Sequence, residues 1–554
     1  MTTSDLRGDS PPESQEQSEG LSSPISRRRL LALGAQGAAA VGGGALIAAC
    51  GGGKTTATDA AKSGTPKRGG TITLGMITGG SSETVVPALA INNPDLVRVP
   101  QLFDPLFRVG EDVRLVPMLA TEATPNSDAT SWTLQLRDGV HWHDGKPFTA
   151  DDVVWTVKSW ASPRNADSAT VTGVIDYSRV RKRGPLTVEI PLLIPVAQFP
   201  TLITYYNLYV IPAGATNSEI HARPIGTGPF KYVSFEPAVR SVFTANRDYW
   251  QHGKPYIDKL VVISSFTNET ARLNALEAGT VNVNGSVPGV IANQLKGNPQ
   301  IKLLNSVGGN IYQLFVRIDK PPFTDNRVRQ ALRLAADRPA LVANGLDGYG
   351  AVANDLPGVF TEYYATKLPQ RVQDIEKARS LLKAAGKEGL TFALPVADAA
   401  PGFTACATLY AEQAKAAGIN VQITQVPAAN YFSPSGGYLT RTAGLDSPAA
   451  TPPSLTQQYR TSLRKGAPYN DTWWGYQPGG AAADALLAEA VGTLNPSRAE
   501  ELWFEVQKLQ YEQNGTLIYA TANFLDAVAS NVHGLRTTKA GYLNNWQLLD
   551  GWIN

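Results

Sequence analysis

Cysteine is nearly absent. Of 554 residues only Cys50 and Cys406 carry a thiol. An even pair could close one disulfide in an exported chain, but Cys50 is claimed by another signal described below. Cys406 stands in the apolar run Phe403-Thr404-Ala405-Cys406-Ala407 with no His partner nearby. It therefore reads as a small buried hydrophobe, not a catalytic thiol. An excess of one charge is missing too. Lys and Arg number 49 against 47 Asp and Glu, a net charge of +2, which argues against the clustered basic footprint of a nucleic-acid binder. Histidine is scarce, and His221, His252 and His533 are scattered among the five present. Beyond the first fifty residues no apolar run is long enough to span a bilayer. There is no Gly-x-Ser-x-Gly elbow and no His-Glu-x-x-His motif. Gly226-Thr227-Gly228-Pro229 lacks the Lys-Ser/Thr of a phosphate loop and reads as a turn. Nucleophilic and metal hydrolysis thus lack their signatures, and no catalytic residue, metal ligand or cofactor is assigned.

What is present is enough for a large core. Apolar residues make up 43% and charged residues 17%, and the length suits about three structural units. The first fifty residues read as an address. Residues 1–25 are polar and read as disordered. Ser26-Arg27-Arg28-Arg29-Leu30-Leu31 then leads into an apolar stretch ending Ile47-Ala48-Ala49-Cys50. A basic segment, an apolar segment and small residues before a cut are the parts of a secretory signal. The Arg27-Arg28 pair resembles a twin-arginine signal, and the ending resembles a lipobox in which Cys50 is acylated. An uncleaved anchor of about 20 residues is the alternative; its Gly content counts against it. Either way the remainder is expected outside the cytoplasm and tethered to the membrane. Residues 51–68, rich in Gly, Thr, Ala and Lys, suit a flexible tether.

Strands and helices are interspersed. Thr71-Ile72-Thr73-Leu74 opens a strand. Trp132, Leu134 and Leu136, then Leu186, Val188 and Ile190, then Ile419, Val421 and Ile423 alternate with polar neighbours, the pattern of half-buried strands. Thr149 is placed to cap a helix whose first turn holds Asp151 and Asp152, with Val153, Val157 and Trp160 on one face. Asp325 precedes a helix with the stripe Val328, Leu332 and Ala335. Asn495-Pro496 starts another that carries Leu502, Val506 and Leu509. The fold class is α/β, mixed α+β.

One unit is more specific. Leu136-Arg137-Asp138-Gly139-Val140-His141-Trp142-His143-Asp144-Gly145-Lys146-Pro147-Phe148-Thr149-Ala150-Asp151-Asp152-Val153 resembles the signature of the family 5 extracellular solute-binding proteins, the oligopeptide, dipeptide and nickel receptors of ABC importers. Gln101 to Phe107, Pro224 to Lys231, Asn246-Arg247-Asp248-Tyr249-Trp250, Arg272 to Gly279, Lys320 to Leu332 and the tail from Ala483 to Leu535 resemble further blocks of that family, in its order. The resemblance implies a type II periplasmic-binding-protein fold of two lobes on a hinge, with an extra domain. Mapped here, domain I is expected at 69–110, 222–310 and 525–554, domain II at 111–221 and domain III at 311–524. It further implies a monomeric, lipid-anchored receptor on the outer face of the cytoplasmic membrane that closes on a short peptide and delivers it to permease subunits with a cytoplasmic ATPase. A non-peptide solute (oligosaccharide, nickel chelate, haem or glutathione) and a ligand-presenting sensor stay open as alternatives.

The resemblance also supplies one candidate ligand residue, and the aromatic pattern supplies others. Family peptide receptors carry an Asp near the segment Arg441 to Ser447 that pairs with the ligand's α-ammonium, which places Asp446 in that role. Tyr431, Phe432, Trp473 and Trp474 lie in turn-rich stretches and could line an apolar cleft. If Trp473-Trp474 is extended, the two rings face opposite ways and one can reach the cleft. His141 and His143 fall in the signature block and read as turn residues.

Overall fold

Along Ser131–Leu136, Trp132, Leu134 and Leu136 are buried while Thr133 and Gln135 face solvent, so one side of the strand packs inward. It pairs antiparallel with Ala120–Pro125 and Thr187–Pro191, and Arg181–Gly184 completes a four-stranded sheet. The helix Ala150–Ser159 lies against its edge. A capping box starts that helix, with the Asp152 carboxylate accepting the Thr149 backbone N–H at 2.8 Å. Val153, Val157 and Trp160 are its buried stripe. Asp325 caps Asn326–Leu334 and Asn495 caps Pro496–Gln513, each through its side chain.

The computed structural model describes residues 65–162, 170–205, 207–428, 431–432, 437–447, 454–539 and 541–554. They belong to one unit, Lys62–Asn554; the other, Met1–Ala61, lies outside the described residues, and with it Arg27, Arg28 and Cys50. No helix among the described residues is long and apolar enough to cross a membrane. The architecture is mixed α/β, as the interspersed elements imply.

A nine-stranded mixed sheet runs in the order Ala443–Asp446, Ile301–Val316, Thr516–Ala529, Val283–Asn284, Thr71–Ile77, Lys259–Phe266, Arg240–Ala245 and Phe230–Glu236, with Gly350–Val352 also on Thr516–Ala529. Two of its strands serve two cores. At one end, Ile301–Val316 and Thr516–Ala529 send Ile301, Leu525 and Ala527 into a core with Leu273, Leu276 and Ile291. At the other, Tyr312, Leu314, Val316, Leu517 and Tyr519 join a separate core with Phe323, Phe392 and Phe403. Between the ends the register slips. Ser306 faces Phe524 and Asn310 faces Ala522, so four steps on one strand oppose two on the other. Gly308 sits in this bulge, where a Cβ would lie 2.1 Å from the Ala522 carbonyl oxygen.

A third core joins the four-stranded sheet to helices from late in the chain: Leu134, Val188 and Phe199 pack in one cluster with Leu487, Leu502 and Trp503. Polar contacts accompany it. Ala197 donates its N–H to the Val491 carbonyl at 2.7 Å, and Arg460 Nη2 donates to the Thr172 carbonyl at 3.1 Å.

Three motif blocks meet at Asp104. Its buried carboxylate accepts from Thr227 Oγ1 (3.0 Å), the Tyr249 hydroxyl (2.9 Å) and Trp250 Nε1 (2.9 Å). Burial raises this carboxyl above its ordinary range, and the three donors hold against that.

Candidate functional site

Asp446 ends the strand Ala443–Asp446, which pairs antiparallel with Ile301–Val316 so that Gln313 stands directly opposite it. Directly opposed residues share a face. Leu445, next in line, turns the other way into the core with Phe392 and Phe403. The face that carries Asp446 and Gln313 also carries Thr516 from the neighbouring strand, and it is covered by Gln458, Tyr469 and Asp471. These six residues surround a small cavity. Its free space, about 10 Å3, is that of one water-sized group.

Two carboxyls dominate it. Asp446 is 6% exposed and Asp471 3%. Asp446 accepts from the Tyr438 hydroxyl (2.9 Å) and the Ser447 N–H (2.8 Å). Asp471 accepts from Gln313 Nε2 at 3.0 Å. Burial pushes Asp446 up to about 6. Burial and repulsion from Asp446 push Asp471 well above the carboxylate range. Among the described residues that line the cavity there is no Lys, Arg or His. The arrangement is an acceptor-rich hollow without a counter-charge, chemically suited to a small cation.

A run of edge-to-face aromatic contacts leads to Asp446. Tyr431 and Phe432 meet at 5.0 Å between ring centres, and Phe432 and Tyr438 at 5.5 Å. Tyr431 is wholly buried, and its hydroxyl accepts the Leu445 N–H at 2.9 Å. Phe432 is 40% exposed. Trp473 and Trp474 do not form an extended pair. Trp473 has φ +61°, in the left-handed region, and Trp474 opens a short 3₁₀ turn, Trp474–Tyr476. The rings still diverge. Trp474 is buried in the core with Leu487 and Trp503. Trp473 is partly exposed, stacked 4.9 Å from Tyr476 and beneath the Arg317 guanidinium at 4.1 Å.

A larger cavity of about 640 Å3 is lined by Asp112, Phe360, Tyr363, Tyr364, Phe504 and Lys539, among others. None of the five ligand candidates lines it, whereas Asp446 lines the acidic one. The helix Pro496–Gln513 contributes to both, Phe504 to the larger and Gln510 to the smaller.

His143 is engaged at both ring nitrogens. Nε2 donates to the Gly228 carbonyl at 3.0 Å and Nδ1 accepts the Gly226 N–H at 3.2 Å. Burial lowers its pKa to about 4. His141 is exposed and lies 3.1 Å from the Gly139 carbonyl. Both serve the turn.

Gln313, Tyr438, Asp471 and Thr516 are absent from the candidates drawn from the sequence. Gln313 and Asp471 are 158 positions apart, and no local pattern links residues at that separation.

A family model described as bacterial extracellular solute-binding proteins, family 5 middle, matches residues 114–467. The dipeptide-binding protein of Escherichia coli (strain K12) is 26% identical over 460 residues, covering 77% of this chain and 84% of that protein. The glutathione-binding protein GsiB of Pectobacterium atrosepticum is 25% identical over 443 residues, covering 77% and 84%. Among solved structures, the ABC transporter-associated periplasmic binding protein DppA from Helicobacter pylori in complex with peptide STSA superposes with a TM-score of 0.73 at 21% identity. That match covers 88% of this chain and 98% of that one.

Proposed function

The chain belongs to the bacterial extracellular solute-binding proteins of family 5 and has their type II periplasmic-binding-protein fold, and on that premise we propose that it captures short peptides and hands them to an ABC permease. The observation that carries the peptide reading is the acidic cavity around Asp446. A peptide's α-ammonium needs a partner that compensates its lost water, and a buried carboxylate offers a charge-assisted bond roughly twice as strong as a neutral one. Tyr431 and Phe432 support that end of the site, and Trp473 offers an aromatic face beside it. Main-chain hydrogen bonds along an extended ligand supply affinity that tolerates sequence.

The two long strands support the closure reading. The expected boundaries at 310/311 and 524/525 fall inside Ile301–Val316 and Thr516–Ala529, beside the bulge where one core gives way to another. Bending there would move the parts of the sheet on either side of the bulge relative to each other, and ligand that touches both lobes stabilises the closed form. Export through the Arg27-Arg28 signal and acylation of Cys50 would hold a monomeric receptor at the outer face of the cytoplasmic membrane.

Calorimetry with di- to pentapeptides tests the ligand class. Heat of binding from free peptides and none from their N-acetylated forms is the expected result. Binding of an oligosaccharide with no heat from any peptide would instead favour the exposed Trp473–Tyr476 stack as a sugar platform.

A further inference from the structure

The cavity around Asp446 holds more acceptors than a single carboxylate partner requires. Asp471 is as deeply buried as Asp446, and the Gln313 amide favours the ionised form of both. Thr516, 3% exposed, lines the same space, and its hydroxyl has no hydrogen-bond partner among the described residues. A buried hydroxyl without a partner is rare in folded proteins, and this one sits where a small guest would lie. Two carboxylates, one hydroxyl oxygen and room for one water-sized group match a primary ammonium, whose three N–H donors need three acceptors.

We propose that Asp446, Asp471 and Thr516 form a three-acceptor cage for a primary ammonium group, which enters in exchange for a proton that the two carboxyls share. This deepens the peptide reading above and rests on it for the identity of the ammonium's owner. The charge balance is the reason for the exchange. Two ionised carboxylates buried side by side with no counter-ion are prohibitively unfavourable, so the empty cavity keeps one proton and a net charge of −1. The ammonium arrives already protonated, both carboxylates ionise, and the displaced proton goes to solvent. The buried charge is −1 before and after, and no covalent bond to carbon or nitrogen changes.

Few other groups compete for that proton. The phenols of Tyr438 and Tyr469 face the carboxyls, and burial with the two acids pushes Tyr438 well above its ordinary value. The guanidinium groups on flanking segments are committed elsewhere. Arg317 is paired with Asp319, Arg441 donates to the Tyr431 carbonyl, Arg460 to the Thr172 carbonyl and Arg464 to the Arg460 carbonyl. Burial raises both carboxyls, and repulsion from Asp446 raises Asp471 further, so the pair still holds a proton where an exposed carboxyl would be ionised.

The experiment uses methylammonium as a probe that does not depend on peptide preference. Thermal melts of the purified protein are run at about pH 5 and about pH 7.5 with methylammonium or tetramethylammonium at equal ionic strength. Methylammonium raises Tm more at the higher pH, and tetramethylammonium, with no N–H, does not. Asp471→Asn shifts the pH dependence to lower pH, because Asp446 alone then holds the exchangeable proton, and Thr516→Val weakens the response while keeping the trend. Equal effects of the two cations, or a pH dependence left unchanged by Asp471→Asn, overturn the cage. Trialanine calorimetry in two buffers of different ionisation heat then separates the two claims. Up to one proton released per peptide, with affinity rising about tenfold per pH unit below the shared pKa, supports both. Methylammonium binding with no heat from trialanine keeps the cage and removes the peptide reading. Trialanine binding without proton release, unchanged by Asp471→Asn, removes the cage and keeps the peptide reading.

Discussion

His143 and Gly226 are locked to each other twice. The His143 backbone N–H donates to the Gly226 carbonyl at 2.8 Å, and the Gly226 N–H donates back to His143 Nδ1 at 3.2 Å. With Nε2–H given to Gly228, the imidazole bridges the Trp142–Pro147 turn and the Gly226–Phe230 loop in its neutral form. A proton on Nδ1 would point at another N–H and break the bridge.

Acid stability should therefore depend on this ring. The native pKa of about 4 lies below the 6.5 of the unfolded chain. A depressed pKa contributes stability that is complete above about pH 6.5 and is lost as pH falls toward 4. The contribution is at most about 3 kcal/mol. Urea denaturation across that window should show a steeper acid loss for the native protein than for His143→Ala. Parallel curves would count against the bridge.

Gly226 should tolerate no side chain. A Cβ there would lie 1.8 Å from the Leu102 carbonyl oxygen, a backbone atom that cannot swing away. Gly226→Ala should cost about 3 kcal/mol or more, or prevent folding. Gly139 is the control. Its φ is +72° with open space around it, so Gly139→Ala should cost only about 1 kcal/mol of backbone strain. Equal melting shifts for the two variants would contradict the close approach.

Asp446 should trade stability for binding. Its native pKa, about 6, lies above its ordinary value of 3.8. A raised carboxyl contributes stability that is complete below the unfolded pKa and is lost as pH rises through 6. Asp446→Asn should thus gain about 1–3 kcal/mol at neutral pH and weaken capture of a free-amine peptide about a hundredfold. Tyr438→Phe, which removes one donor to Asp446, should weaken it about tenfold. Calorimetry checks the affinities and denaturant titration the stabilities; unchanged affinity in Asp446→Asn would remove this residue from the site.

Membrane attachment should depend on one thiol. In the native host, Cys50→Ala should move the protein from the membrane fraction to the soluble fraction, because acyl chains hold by about 0.8 kcal/mol per buried CH₂. A variant that stays in the membrane fraction would point to an uncleaved anchor instead.

Legibility follows distance along the chain. Thr149 with Asp152, Asp325 before its helix and Asn495-Pro496 are caps whose partners lie within three residues, and the alternation in Ser131–Leu136 reports its buried face directly. Asp446 was reachable through its motif. The turn at Trp473-Trp474 is not legible in the sequence, because a left-handed residue without glycine leaves no mark in the pattern.

The sequence by itself determined the α/β alternation, the helix starts, the family and the single Asp with a motif around it, since each is written in neighbouring residues. Only the tertiary structure decided what surrounds that Asp. Strand register sets Gln313 opposite Asp446, and Thr516 and Asp471 come to the same hollow from segments far along the chain. Hydrogen bonding between distant strands chooses that register, and the local order of side chains carries no record of it.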